Sequence, residues 1–143
     1  MRISEVIRRK GAEVVTIRPE ATVTDLLALL GERNIGAVVV STDDGRTVAG
    51  IVTERDVVRH LHTSGVSVLE QPVSALMTTA VLTCRLEDDL QSLARTMTDE
   101  RIRHLPVVED GELRAIVSIG DIVKNRIDEL QAENEQLVDY VHR

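Results

Sequence analysis

From residue 14 the chain alternates short apolar runs with a helical stripe. VVTI (14–17) reads as a strand, and Val23, Leu26, Leu27 and Leu30 then recur at helical spacing behind Thr22, which predicts an amphipathic helix. A second strand over 36–41 leads to an Asp-Gly turn in STDDG, and a third over 47–52 feeds a helix starting at Thr53. The same order returns: a strand over 81–84, a helix carrying Leu90, Leu93, Ala94 and Met97, a strand over 104–108, a turn in EDG, a strand over 113–117, and a helix from Ser118. The predicted unit is β-α-β-β-α, occurring twice.

Direct matches support a duplication. ISEVI (3–7) aligns with VSALM (73–77) at an offset of 70. VVTI aligns with VLTC, and LLALLGERNIGAVVV (26–40) with LARTMTDERIRHLPV (93–107), both at 67. GIVTERDVVRH (50–60) aligns with AIVSIGDIVKN (115–125) at 65. The offset falls because the first copy has three extra residues near Lys10-Gly11-Ala12 and two in the turn STDDGRTVAG. Length changes confined to loops are what a duplicated fold shows. TSGVSVLEQP (63–72) is the expected joint, giving a first copy at 1–66, a second at 67–126 and a helical extension at 127–143. A copy of about 60 residues buries too little apolar surface alone. Two copies packed face to face, with pseudo-two-fold symmetry and a cleft between them, are therefore expected.

The last helix runs on past the second copy without Pro or a late Gly. Val123, Ile127, Leu130, Asn134, Leu137 and Val141 alternate spacings of four and three, as a coiled-coil seam does. Ile127, Asn134 and Val141 take a positions, and Leu130 and Leu137 take d positions. The stripe pairs two chains, or lies along the protein's own body.

Composition narrows the function classes. Of 143 residues, 43% are apolar and almost all of these are aliphatic: there is no Trp or Phe and one Tyr, Tyr140. Val-rich runs of this kind suit strands buried on both faces. A formal charge of −7 argues against a nucleic-acid partner, and the lack of aromatics removes stacking platforms. The single cysteine, Cys84, excludes an internal disulfide and fits a reducing compartment. No stretch has the length of a signal peptide or of a membrane span, so a cytoplasmic chain without a membrane partner is expected.

The paired stretches GIVTERDVV and AIVSIGDIV, each behind IGAVVV or IRHLPVV and a hairpin, resemble the tandem motifs of CBS domains, which together form a Bateman module. The resemblance covers roughly residues 1–127. It implies an α/β (in the wider sense α+β) fold of two β-α-β-β-α repeats, with the long C-terminal helix added. It also implies regulatory binding of AMP, ADP, ATP or a related adenosyl ligand, with no cofactor required and no catalysis. On this resemblance Asp56 and Asp121 take the ribose hydroxyls, and Thr53 and Ser118 the phosphate. Arg55 adds a cation, and Gly36 and Ala37 in one copy, with Arg103, His104 and Pro106 in the other, supply contacts from the strands. The copies differ: Gly120 stands in place of Arg55, Arg103 and His104 in place of Gly36 and Ala37, and Ala115 in place of Gly50. CBS modules also pair into dimers, so a homodimer acting on a separate, unidentified regulated protein is implied. The alternative is a ligand-free dimerisation and interaction module.

The chemistry is sound from below. A carboxylate accepts from two neighbouring hydroxyls, and a hydroxyl at a helix start lies beside free N–H groups that suit phosphate. The same hydroxyl-x-x-acid spacing is also a helix capping box. His104 beside a buried strand is equally a structural histidine, Arg103 a solvated charge, and Arg55 a surface cation. His60 and His62, two residues apart on a helix, face different ways and form no metal site. Cys84 reads as core packing rather than a nucleophile paired with His104.

Overall fold

Four consecutive residues, Ala37–Val40, are buried on both sides and form the central strand β2 of a three-stranded sheet. The computed structural model describes residues 1–143. β1 (Thr16–Ile17) runs parallel to β2, joined to it through α2 (Val23–Arg33), and β3 (Gly50–Thr53) runs antiparallel on the other side. Val38 faces Val52 and Val39 faces Ile51, so β-branched side chains fill both faces of the sheet. α2 starts on a Thr22–Asp25 capping box and stops at Asn34, whose left-handed conformation (φ 52°) ends the helix. It buries Val23, Leu26 and Leu30, while Leu27, expected on that stripe, is 40% exposed. The buried face is the narrower i, i+3, i+7 row, and Leu27 lies one position around the helix from it. α3 (Glu54–Ser64) adds Val57, and the following 3₁₀ turns add Val68 and Val73.

The strands expected at 14–17 and 47–52 shorten to Thr16–Ile17 and Gly50–Thr53. The longer turn of the first copy is the reason for the second of these. Asp43 there accepts from the Ser41 hydroxyl (2.8 Å), the Thr47 N–H (2.8 Å) and the Thr47 hydroxyl (2.7 Å), which diverts the chain from strand pairing. The Thr47 hydroxyl, the Thr47 N–H and the Ser41 hydroxyl pull the Asp43 carboxyl down to about 2.

A second group of elements uses the other copy. β4 (His104–Glu109) and β5 (Glu112–Ser118) form a hairpin, and its turn residues Asp110 (φ 51°) and Gly111 (φ 77°) both carry the positive φ of a type I′ turn. α4 (Leu90–Asp99) buries Leu90, Leu93 and Met97. The strand expected at 81–84 reduces to one parallel bridge, in which the Cys84 N–H donates to the Pro106 carbonyl and the Cys84 carbonyl accepts from the Val108 N–H, each at 2.9 Å.

The two compact units cut across the sequence repeat. One, the sheet unit, is Glu13–Leu82 with Asp110–Leu113; the other, the hairpin unit, is Met1–Ala12, Thr83–Glu109 and Arg114–Arg143. The opening segment of each copy thus folds with the body of the other. α1 (Ile3–Lys10) buries Ile3, Val6 and Ile7 in the hairpin unit, with Ile3 N–H on the Asp88 carbonyl and Ser4 N–H on the Leu86 carbonyl, both 2.9 Å. In the sheet unit, Val73 N–H donates to the Ala21 carbonyl at 2.7 Å and Val23 N–H to the Gln71 carbonyl at 3.0 Å.

This exchange explains a difference between the copies. Thr78 forms a two-bond bridge with Ile51, and a Cβ added to Gly50 would lie 2.8 Å from both the Thr78 carbonyl oxygen and the Met77 sulfur. Ala115, the counterpart of Gly50, is tolerated and buried in the hairpin unit.

α5 (Ile119–Val141) buries Ile122 and Asn125, pairs Asp128 with Arg9 at 3.8 Å and Glu129 with the N-terminal ammonium at 3.3 Å, and is exposed beyond them. Ile127 is 49% exposed, Leu130 47%, Leu137 64% and Val141 76%, so the seam does not lie along the protein's own body.

Gly50→Ala drives a methyl group onto a backbone oxygen and should cost about 1–3 kcal/mol in chemical denaturation. The reciprocal Ala115→Gly should cost only about 0.5–1 kcal/mol. Because the Asp43 carboxyl is depressed in the folded state, its stabilising contribution is complete above about pH 4 and is lost as pH falls through about 2. Asp43→Asn should therefore lower the melting temperature at neutral pH and much less at pH 2.

Candidate functional site

At the end of β3 the chain turns directly into α3, and Thr53 occupies the junction. Its hydroxyl accepts the Asp56 N–H at 3.3 Å, and Asp56 Oδ2 accepts the Thr53 N–H at 2.9 Å and the Thr53 hydroxyl at 3.1 Å. The first N–H of the helix, from Glu54, donates to the Gly36 carbonyl at 3.0 Å, and Ala37 pairs across the sheet with Thr53. The structure therefore brings Gly36, Ala37, Thr53 and Asp56 together at one strand end. Arg55 is exposed, and its guanidinium makes no hydrogen bond or ion pair. One turn along, His60 Nδ1 donates to the Asp56 carbonyl at 2.8 Å, which fixes the helix behind the carboxylate.

The β5–α5 junction repeats this frame. The Ser118 hydroxyl accepts the Asp121 N–H at 3.1 Å, and Asp121 Oδ2 accepts the Ser118 N–H at 2.9 Å. Ile119 N–H donates to the Arg103 carbonyl at 2.8 Å, as Glu54 does to Gly36. Asn125, in the place of His60, donates to the Asp121 carbonyl at 2.7 Å and accepts from Arg9 at 3.3 Å. The Arg103 side chain is exposed and unpaired, and His104 is half-buried at the start of β4. Pro106 is buried mid-strand with its carbonyl given to Cys84, which makes it part of the sheet.

One group here has no counterpart in the first copy. The Lys10 ammonium lies 2.5 Å from Asp121 Oδ2 and 2.9 Å from the Ile116 carbonyl oxygen. Burial works to raise the Asp121 carboxyl, but the Lys10 ammonium and the Ser118 N–H outweigh it and hold the group below the ordinary carboxylate range. Its stabilising effect is accordingly present above that range and lost as pH falls through the lowered value. The sequence pattern assigns Lys10, His60 and Asn125 no place in the ligand site, and bears on His60 only as a metal ligand. The excess residues around Lys10 in the first copy were the available signal.

A third capping box sets the standard for reading the other two. Thr22 and Asp25 make the same reciprocal bonds, at 3.1 Å each, at the start of α2. The box alone is helix chemistry. What sets Thr53–Asp56 and Ser118–Asp121 apart is their place behind a hairpin strand, where the carbonyl that takes the first helical N–H comes from the residue leading into the partner strand, Gly36 or Arg103.

Other chemistry is poorly served. Cys84 is buried, and desolvation followed by the nearby Asp88 charge pushes its thiol up to about 12, which opposes a thiolate nucleophile. His62 is exposed while His60 is committed to a carbonyl, and no three His, Cys, Asp or Glu side chains gather as a metal-holding group. No helix is long and apolar enough to cross a membrane.

The chain is similar to known proteins over most of its length. The CBS domain family matches residues 3–63 and 73–128. The mitochondrial CBS domain-containing protein CBSX3 of Arabidopsis thaliana is 34% identical over 97% of this chain and 71% of its own length. The crystal structure of the CBS-domain containing protein ATU1752 from Agrobacterium tumefaciens superposes with a TM-score of 0.84 at 41% identity, covering 88% of this chain and 99% of that one. The CBS domain pair of protein MJ0100, crystallised with 5′-methylthioadenosine and S-adenosyl-L-methionine, shares the fold (TM-score 0.78) at 19% identity, over 90% of this chain and 98% of that one. With two family matches in one short chain, two strand-to-helix junctions built alike and solved relatives of the same architecture, the protein belongs to the CBS-domain family as a tandem pair.

Proposed function

We propose that this chain is a regulatory module that binds an adenine nucleotide (AMP, ADP or ATP) or a related adenosyl ligand and transmits its occupancy to a separate protein. The observation that carries this reading is the junction of Thr53 and Asp56 with Gly36 and Ala37. There a hydroxyl, a carboxylate, a helix N-terminus and the unpaired Arg55 come together without an ion pair among them. A ribose offers two hydroxyl donors to the carboxylate, and a phosphate suits the helix start and a free guanidinium. Ser118, Asp121, Arg103 and His104 supply the corresponding set in the second copy, with Pro106 in the supporting strand. The adenosyl ligands held by the CBS pair of MJ0100 support the ligand class. On this reading the role is regulatory rather than catalytic.

The exposed stripe of α5 favours a homodimer as part of the same reading. Ile127, Leu130, Leu137 and Val141 are each about half or more exposed in the single chain, with Asn134 between them at an a position, where a buried amide sets register. An apolar seam of this length is best covered by its own copy.

Three measurements test these proposals. AMP at a hundredfold excess over its dissociation constant should stabilise the parent by about 2.7 kcal/mol in thermal melts. Asp56→Ala should weaken binding roughly ten- to a hundredfold by calorimetry, the effect of losing hydrogen bonds to a charged group. A parent whose melt ignores millimolar AMP, ADP, ATP and S-adenosylmethionine would leave the ligand-free interaction module in its place. For the dimer, Leu130→Asp with Leu137→Asp in the full chain should shift the sedimenting species from dimer to monomer, and an unchanged dimer removes α5 from the interface.

A further inference from the structure

We propose that Lys10 closes the Ser118–Asp121 site, so that the chain takes its adenosyl ligand at the Thr53–Asp56 site alone, one per chain. This rests on the adenosyl-binding reading above and adds which of the two junctions is used.

The two copies treat one strand carbonyl differently. In the sheet unit the Ile51 carbonyl accepts the Thr78 N–H at 2.9 Å, and the Thr78 carbonyl accepts the Ile51 N–H at 3.0 Å. These are neutral backbone bonds, and they leave the nearby carboxylate alone: Asp56 accepts only from Thr53. In the hairpin unit the counterpart of Ile51 is Ile116, and its carbonyl accepts from the Lys10 ammonium at 2.9 Å. A side chain stands where the other unit has a passing strand. Its charge then reaches Asp121, the counterpart of Asp56, at 2.5 Å.

The consequence for a ribose is direct. At Asp56 an incoming hydroxyl meets a carboxylate bonded to an uncharged neighbour. At Asp121 it must compete with an ammonium that already pairs with the carboxylate, an ion pair added to the same capping bond from the backbone N–H that Asp56 accepts. The pair is also sheltered, with the Lys10 side chain 33% and that of Asp121 22% exposed, so water screens it less than a fully exposed pair. Displacement would strand the lysine from the Ile116 carbonyl as well. Lys10 is the last residue of α1, and the extra residues of the first copy surround it. The second copy has no equivalent lysine to direct at Asp56: its matching segment is the short turn Val73–Ala75, followed by Met77 and Thr78.

The test is calorimetric titration of the full chain with AMP, alongside Lys10→Met, Lys10→Arg, Asp56→Ala and the double variant Asp56→Ala/Lys10→Met. Methionine keeps an apolar stem of similar length and removes the charge. The parent and Lys10→Arg should bind one equivalent and Lys10→Met two. Asp56→Ala should bind its one equivalent roughly ten- to a hundredfold more weakly than the parent, and the double variant should regain one tight equivalent, with an affinity within roughly tenfold of the parent. Melts of each variant without ligand establish that it is folded. Two equivalents in the parent, or a folded Lys10→Met that still binds one, would overturn the closure while leaving the adenosyl reading intact. If neither the parent nor Lys10→Met takes up any AMP, the adenosyl reading itself falls and the closure falls with it.

Discussion

A β-α-β-β-α copy of this size cannot close its own core, and the fold is organised around that shortage of apolar surface. Ile3, Val6 and Ile7 of the first copy are buried with the hairpin body of the second, while Val73 and Leu76 of the second are buried with the sheet of the first. The exchanged segments are not interchangeable. One is a helix of eight residues ending in basic side chains, and the other is a 3₁₀ turn followed by an extended stretch. The same burial requirement, met by two different segments, makes the two halves chemically unequal.

That inequality spreads into neighbouring positions. Where the extended stretch passes β3, the backbone approach leaves no room for a side chain at Gly50. Where a lysine replaces it against β5, Ala115 fits. Two substitutions that look independent along the chain, glycine to alanine and a passing strand to a lysine, are two sides of one packing choice. The aspartates inherit the difference: Asp56 is left to its capping bonds, and Asp121 gains an ion pair.

The capping boxes show how one local device serves two ends. Each of the three hydroxyl-x-x-Asp boxes at Thr22, Thr53 and Ser118 satisfies N–H groups that a helix start would otherwise leave open. A carbonyl takes the first helical N–H in all three, and in two of them it belongs to Gly36 or Arg103, the residue leading into the partner strand of a hairpin. A helix tethered in this way presents its N-terminus at a fixed place, which is what recognition of a sugar or a phosphate requires. His60 and Asn125 hold the next turn by the aspartate carbonyls, so each carboxylate is anchored from both directions.

The order and type of the elements, the duplication and the two strand-to-helix junctions were legible in the amino-acid sequence, because periodicity, turn chemistry and caps are written within a few residues of one another. Thr53 with Asp56 and Ser118 with Asp121 are separated by one helical turn, and that spacing alone brings them into contact. The exposure of Leu27 and the shrinking of the strand before α4 to a bridge at Cys84 were decided by what packs alongside, as was the entry of each opening segment into the other copy's unit. Lys10 reaches Asp121 across 111 residues of chain. No local pattern encodes a contact of that span; it exists only once the burial of α1 has carried the lysine to the end of β5.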